Sequence, residues 1–539
     1  MKSIKKTTLI FILTGIYFIP TVEAQSTYND VATIFYTRCT KCHHDNQVAY
    51  FSLLTYNETL PYTQFIQTDL ISSHMPPWFA DTAYATSGHA ATRFLHEDTL
   101  TTVEKNKILQ WINDGSLEGN PQLAPAPPVY NAKYKLNGTA SLNLQIPTFT
   151  SNSGLTNEFP YDCFSIPTGL TTDRWLQAFE VVPGNYPAVH SVVVTLDTTG
   201  NSQSNTSGYC ANQPNEIYLG GWTPGAIPTI FPNQPSLKAG IKIPTGSNII
   251  LRVHYASGSG GMVDSTKIRM FFYPENETGI RQIHSDAFIQ YWGNQGVGGS
   301  DIPANTIKSI SATPAIQTLS HSLPPVSDIS LFSIYPLSRN ICTAAKDYAF
   351  SGSDTIPLIH FNLWDYEWEG NYYFSKLLKI PAGYTLKTER LFDNTSNNVH
   401  QPNSPPKNVN FGLTAADEIL FDTFQWLDYQ AGDELIDMKA LIAGDTLLTV
   451  GINNVSIPTS IQFFVYPNPA SDKLSIYLSK KSEYKGRIYS VTGQNVLQIE
   501  TFRDTLTIDV KNIPGGLYII EITDSKTNER ITKKIVITN

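Results

Sequence analysis

Cys39-Thr40-Lys41-Cys42-His43 is the stretch from which the rest of the chain is best read. Two thiols three positions apart, followed at once by an imidazole, form the C-x-x-C-H pattern of covalent c-type haem attachment. The spacing has a chemical reason: each thiol can form a thioether to one vinyl group of the same porphyrin. His43 is then held beneath the iron as its proximal ligand. A zinc half-site and a redox C-x-x-C are the alternatives, but zinc needs two further ligands, and neither accounts for a histidine directly after the second cysteine. The pattern predicts covalent haem c on Cys39, Cys42 and His43.

A sixth iron ligand is sought next, and a thioether opposite a histidine is the common electron-transfer arrangement. Met75 lies in His74-Met75-Pro76-Pro77-Trp78, where two prolines would stiffen the loop presenting its sulfur. His74 is the competing ligand, and packing in the core is the other use for Met75. Downstream, Thr101-x-x-Glu104 is a capping box before apolar residues at helical spacing, and Asn113-Asp114-Gly115 ends the run. This predicts a helix that closes a small helical domain over residues 26–122.

Outside this region the chain reads as β. With 539 residues it must hold several domains. Only 15% of residues are charged, and 34 Gly and 34 Pro break the apolar runs at strand-length intervals. Ser191–Leu196, Asn248–Tyr255, Lys267–Tyr273, Leu358–Trp364 and Tyr384–Phe392 are such runs. The expected fold is multidomain and mainly β: a small α-helical domain, two β-sandwiches over 130–300 and 301–445, joined near Ile302, and a small C-terminal β-sandwich over 458–539. A proline-rich linker from Pro121 to Pro128 separates the helical domain from the first sandwich.

Lys2, Lys5 and Lys6, the apolar segment from Leu9 to Ile19 and the small-residue site Val22-Glu23-Ala24 read as a signal peptide over 1–24. No later segment is long and apolar enough for a transmembrane helix. Export permits disulfides, and Cys163 with Cys210 is the expected pair, leaving Cys342 over. A net charge of −9 with no Lys/Arg cluster beyond the leader excludes nucleic acid as a partner.

Three resemblances extend this reading. The haem motif, the M-P-P-W loop and the helix ending W-I-N-D-G-S-L-E-G-N-P resemble the cytochrome c-like domain fused to bacterial copper type II, ascorbate-dependent monooxygenase-like proteins. In the middle region, Y-D-C-F at 161–164, V-H-S-V-V-V at 189–194, G-G-W-T-P-G at 220–225, L-R-V-H-Y at 251–255, D-N-T-S-N-N at 393–398 and G-L-T-A-A-D-E-I at 412–419 follow an order similar to the core of peptidylglycine alpha-hydroxylating and dopamine beta-monooxygenases. That resemblance implies two jelly-roll-like sandwiches carrying two coppers. One copper takes a His-His pair and a third His, the other takes His-x-His and Met. Here His190 and His254 fall at two positions of the first set and Ser191 at the remaining one. Tyr335, Leu337 and Ile419 fall where the second set belongs. The resemblance therefore implies a possible residual copper at His190 and His254 and an oxygen-activating site without ligands. His284, His321, His360 and His400 form no i, i+2 pair that would replace it, and Trp222, Trp364 and Trp368 read as core.

The order Y-P-N-P, S-V-T-G-Q and P-G-G-L-Y after Phe463 resembles the type A sorting domain of type IX secretion. It implies passage through the periplasm to the cell surface or beyond, with the secretion machinery as a partner. The functional expectation is an exported haem electron-transfer protein, served by a redox partner protein or a small-molecule reductant. An active copper monooxygenase fed by the cytochrome and a metal-free ligand-binding surface protein remain the alternatives.

Overall fold

A computed structural model describes residues 25–538 except 46, 48, 50, 129, 131–133, 155–160, 207–215, 292, 294–300, 314–326, 413–416, 444, 446, 448–462, 479–481, 491–493, 504 and 528–529. The expected signal peptide, His321 and Cys210 lie outside the described residues. Four helices form the N-terminal region: α1 (Tyr28–Arg38), α2 (Tyr56–Thr59), α3 (Thr63–Ser72) and α4 (Thr102–Asn113). The capping box read from the sequence starts α4, with Thr101 Oγ1 accepting from the Glu104 N–H and Glu104 accepting from the Thr101 N–H. Val31, Phe35, Ile66, Leu70, Ile108 and Trp111 bury their side chains in one small core.

Residues 77–98, between α3 and α4, leave this core and run along the middle region. Ala80 and Phe94 bridge to Phe361 and Phe374, and the Asp81 N–H donates to the His360 carbonyl at 2.7 Å. Ala80 and Phe94 belong to one sandwich core and Leu95 to the other. The helical region is thus fastened to both sandwiches by its own insertion.

The first sandwich packs a sheet ordered Leu142–Gln145, Lys267–Phe272, Arg174–Val182, Leu237–Ile243 against one ordered Asp162–Pro167, Asn248–Tyr255, Val189–Asp197, Glu216–Trp222. Asn248–Tyr255 is buried at every position. Its odd residues Ile249, Leu251 and Val253 enter the sandwich core, while its even residues Ile250, Arg252 and His254 take the other face. That second face is also covered, so the strand stays buried along its whole length although Asn248, Arg252 and His254 are polar.

The second sandwich pairs the sheet His284–Gln290, Phe421–Asp428, Ile329–Leu337, Tyr372–Ile380 with the sheet Thr306–Ala312, Thr385–Asn394, Cys342–Ser351, Asp354–Phe361. Because His284–Gln290 is hydrogen-bonded to Phe421–Asp428, the change of sandwich falls near Ile283, upstream of the expected join at Ile302. The final helix α5 (Met438–Ala443) returns to the first sandwich, burying Met438 and Ile442 in its core.

A third sandwich closes the described chain, with Phe463–Tyr466, Lys473–Leu478 and Thr505–Asp509 in one sheet and Asn495–Phe502, Tyr484–Ser490, Gly516–Asp524 and Arg530–Ile537 in the other. Tyr518, Ile520 and Ile522 alternate into a core of its own.

Candidate functional site

Cys39 follows α1 directly, and the chain keeps turning, with the Cys42 and His43 N–H groups donating to the Cys39 carbonyl at 3.1 and 3.0 Å. This turn holds the C-x-x-C-H side chains together at one end of the helical core. Cys39 and Cys42 are free thiols. Burial pushes the Cys39 thiol up to about 12 and also raises Cys42.

His43 is half-buried beside Phe51, with ring centroids 4.4 Å apart, and Phe51 stacks on Tyr62 at 4.0 Å. Burial lowers its pKa to about 4, keeping the imidazole neutral, and its Nδ1 has no partner within the protein. An axial ligand must be a neutral imidazole with a free nitrogen. The thiols, the apolar surroundings and the unpartnered nitrogen therefore fit a haem held by Cys39, Cys42 and His43. Met75 is half-buried just beyond α3, its N–H 3.4 Å from the Asp69 carbonyl. His74, the alternative ligand, lies beside Asp365 and His400.

His190 and His254 meet on the outer face of the first sandwich. In the ladder between Asn248–Tyr255 and Val189–Asp197, His254 pairs with Ser191 and Tyr255 with Val189, so His190 is the extra residue of a β-bulge. Two residues, 190 and 191, thus oppose one, and the His190 and His254 rings come within 4.8 Å, centroid to centroid. Nε2 of His190 meets Glu367 Oε2 of the second sandwich at 2.8 Å. The Glu367 carboxyl is held below the usual range first by this hydrogen bond. His254 is held well below the imidazole range by burial, then by His190 and Arg339. Nδ1 of each histidine is buried without a partner in the protein.

The positions of the other ligand set are occupied by packing. Tyr335 stacks on Tyr218 across the two sandwiches, with centroids 5.1 Å apart and planes at 13°, and its hydroxyl is 3.5 Å from Glu369 Oε2. Ile419 is buried, and Leu337 ends its strand half-buried. His360 is engaged by Asp81 at 3.2 Å, and His284 stacks on Trp426 at 5.4 Å. Trp222 and Trp364 are core residues as expected, and Trp222 and Trp368 both line a cavity.

That cavity, of about 150 Å³, joins the two regions: Cys42 lines it from one side and Ser191, next to His190, from the other. Trp78, Tyr218, Glu369 and Asn371 also line it, each with a buried polar atom that has no partner in the protein. Burial pushes the Glu369 carboxyl well above its usual range, against the opposing pull of Arg339. Gly225 lets the wall approach closely, since a Cβ there would come 2.9 Å from Cys42 Sγ, and its φ of +80° already favours glycine. Sequence reasoning missed Glu367, Glu369 and Asn371, because only the docking of the sandwiches brings them here. Of the expected disulfide, Cys163 is disulfide-bonded, while Cys342 is a buried free thiol.

Residues 464–538 match the family model of the secretion system C-terminal sorting domain. An endo-acting ulvan lyase of Formosa agariphila is 36% identical over 74 residues, which is 14% of this chain and 14% of the lyase. Among solved structures, PorZ, a surface component of the type IX secretion system of Porphyromonas gingivalis, matches over 14% of this chain and 11% of its own at 17% identity, with a TM-score of 0.13. The BSP domain of a biofilm-associated protein covers 78% of this chain and 84% of its own at 9% identity, also with a TM-score of 0.13. Neither structural likeness carries an argument at such scores. The sorting domain marks the chain for export to the cell surface or the extracellular space by type IX secretion. Among the described residues no helix is long and apolar enough to cross a membrane.

Proposed function

We propose that this chain is an exported haem-carrying electron-transfer protein whose double sandwich has kept the electron-transfer side of a copper monooxygenase-like core and lost the oxygen-activating side. The observation that carries the reading is His43, an imidazole packed on Phe51 whose Nδ1 is buried without a partner in the protein, directly after two free thiols. Haem, when bound there, supplies a one-electron couple. The chain's own part is to exclude water around His43 with Phe51 and Tyr62 and to fix Cys42 against Gly225 of the first sandwich.

A residual copper at His190 and His254 follows from the same logic. Leaving a buried donor or acceptor unsatisfied costs about 1–3 kcal/mol, and two such nitrogens on adjacent rings suit a metal that favours imidazole. Because Cys42 and Ser191 line one cavity, such a centre would lie within the same interface as the haem motif. A redox protein or a small-molecule reductant would complete the circuit.

The test is covalent haem in protein produced with a c-type maturation system. The wild type should keep haem through denaturing electrophoresis, and Cys39→Ala combined with Cys42→Ala should keep none. Met75→Ala should keep the haem, lose the weak iron–sulfur charge-transfer absorption and lower the reduction potential. Wild-type protein that releases all its haem on denaturation would overturn the reading.

A further inference from the structure

Three side chains far apart in the sequence meet where the helical region touches the second sandwich. They are His74, two residues beyond α3; Asp365, in the connection between Asp354–Phe361 and Tyr372–Ile380; and His400, beyond Thr385–Asn394. One ligand-capable atom of each lies within 4.8 Å of the other two.

Each residue is oriented by a neighbour that leaves coordinating capacity free. His74 Nδ1 is 3.2 Å from Ser72 Oγ, which leaves Nε2 for another partner. Asp365 is buried, and its Oδ1 accepts the Glu367 N–H at 2.9 Å, which fixes the carboxylate and leaves Oδ2. The His400 N–H donates to Asn398 Oδ1 at 2.9 Å, setting the backbone that presents its ring. For His74 and Asp365 this is the arrangement by which metal sites hold their ligands in place.

We propose that His74, Asp365 and His400 form a site for a divalent transition-metal ion, zinc by donor set, that clasps the Met75 loop to the second sandwich. Two imidazole nitrogens and one carboxylate oxygen suit zinc, with a fourth position left to water. Calcium and magnesium, which want oxygen ligands throughout, are excluded by the same donor set. The site uses none of Cys39, Cys42, His43, His190 and His254. His74, however, adjoins Met75 and competes with it for the iron, and Glu367, whose N–H Asp365 accepts, meets His190. The proposal is therefore tested by zinc affinity and not by haem or copper content.

Chelator-stripped full-length protein, with whatever haem it carries, would be titrated with zinc in competition with a chromophoric chelator. The wild type should show a site that weakens more than about 100-fold in His400→Ala and in Asp365→Asn, beyond the loss that second-shell changes cause. His254→Ala should retain it. Zinc should raise the melting temperature of the wild type and of His254→Ala, but not of the two site variants. Asp365→Asn is nearly isosteric and can still accept the Glu367 N–H, and equal melting temperatures without zinc would separate a lost ligand from a lost fold. Should either variant melt early, the other decides. No competitive zinc binding by the wild type, binding undiminished in both site variants, or loss confined to His254→Ala would each overturn the proposal.

Discussion

The two middle sandwiches answer the same demand in opposite ways. The first keeps two imidazoles on its outer face, their Nδ1 atoms unpartnered, and needs a bulge in Val189–Asp197 to bring them together. The second has Tyr335 packed flat on Tyr218 and aliphatic groups at Leu337 and Ile419, with no imidazole or thioether at these positions. Unpartnered imidazole nitrogens remain on the first sandwich, whereas Tyr335 of the second is stacked on Tyr218 at the wall of the cavity between them.

Both sandwiches bury ion pairs, Arg252 with Glu216 and Arg269 with Glu180 in the first, and the largest expected effect lies with the one in the second. Arg390 is fully buried between Asp347, at 2.8 Å, and Asp422, and all three side chains have 0% exposure. Arg390→Met should destabilise the second sandwich by about 3–5 kcal/mol, because two buried carboxylates lose their cation; calorimetry of the variant checks this. A loss below about 1 kcal/mol would mean that the carboxylates share a proton and scarcely need the arginine.

Acid and base should then distinguish the two sandwiches. In the second, burial raises Glu418 to about 7 despite N–H donors from Ile419, Arg339 and Ile341. A raised carboxyl binds a proton in the folded state that the unfolded chain has released. Its contribution is therefore complete below the ordinary value of 4.5 and is lost as pH rises through 7, at about 1.4 kcal/mol for each pH unit crossed between the two values. Glu418→Gln should flatten the fall in the second sandwich's melting temperature over that interval. An unchanged slope would assign the effect to other groups.

Asp197 in the first sandwich has the opposite sign. Burial alone would raise it, but hydrogen bonds from the side chains and backbones of Thr199 and Ser202 outweigh burial and hold it well below the carboxylate range. Its stabilisation is present above the ordinary value of 3.8 and disappears as pH falls through the depressed one. Asp197→Asn should cost about 1–2 kcal/mol at neutral pH and progressively less in acid, as denaturant titrations at both pH values would show. The smallest effect is expected from Tyr335→Phe, within about 0.5 kcal/mol, since its hydroxyl makes only one long contact while the ring stack survives. A larger loss in the same titration would give that hydroxyl a role beyond packing.

What the sequence disclosed follows from how locally each feature is encoded. Thr101 and Glu104 announce α4 because a capping box is complete within four residues. Asn248–Tyr255 is legible because Ile249, Leu251, Val253 and Tyr255 recur at strand spacing and share one face. His190 and His254 are legible through motif order, but their proximity depends on a bulge that no spacing announces. The insertion of residues 77–98 between the sandwiches, the change of sheet near Ile283 and the meeting of His74 with Asp365 and His400 are products of docking. They join segments far apart in the chain, and neither periodicity nor composition reports such encounters.

The central claim is electron transfer without oxygen activation in the double sandwich. Product analysis after incubating haem-containing, copper-loaded protein with ascorbate, oxygen and a peptide or phenethylamine substrate tests that most directly. The expected result is reduced haem, oxygen uptake no faster than with free copper, and no hydroxylated product, because Tyr335, Leu337 and Ile419 offer neither imidazole nor thioether to hold an oxygen-activating metal. Hydroxylated product formed at a rate that depends on the protein, and lost in His254→Ala, would contradict it.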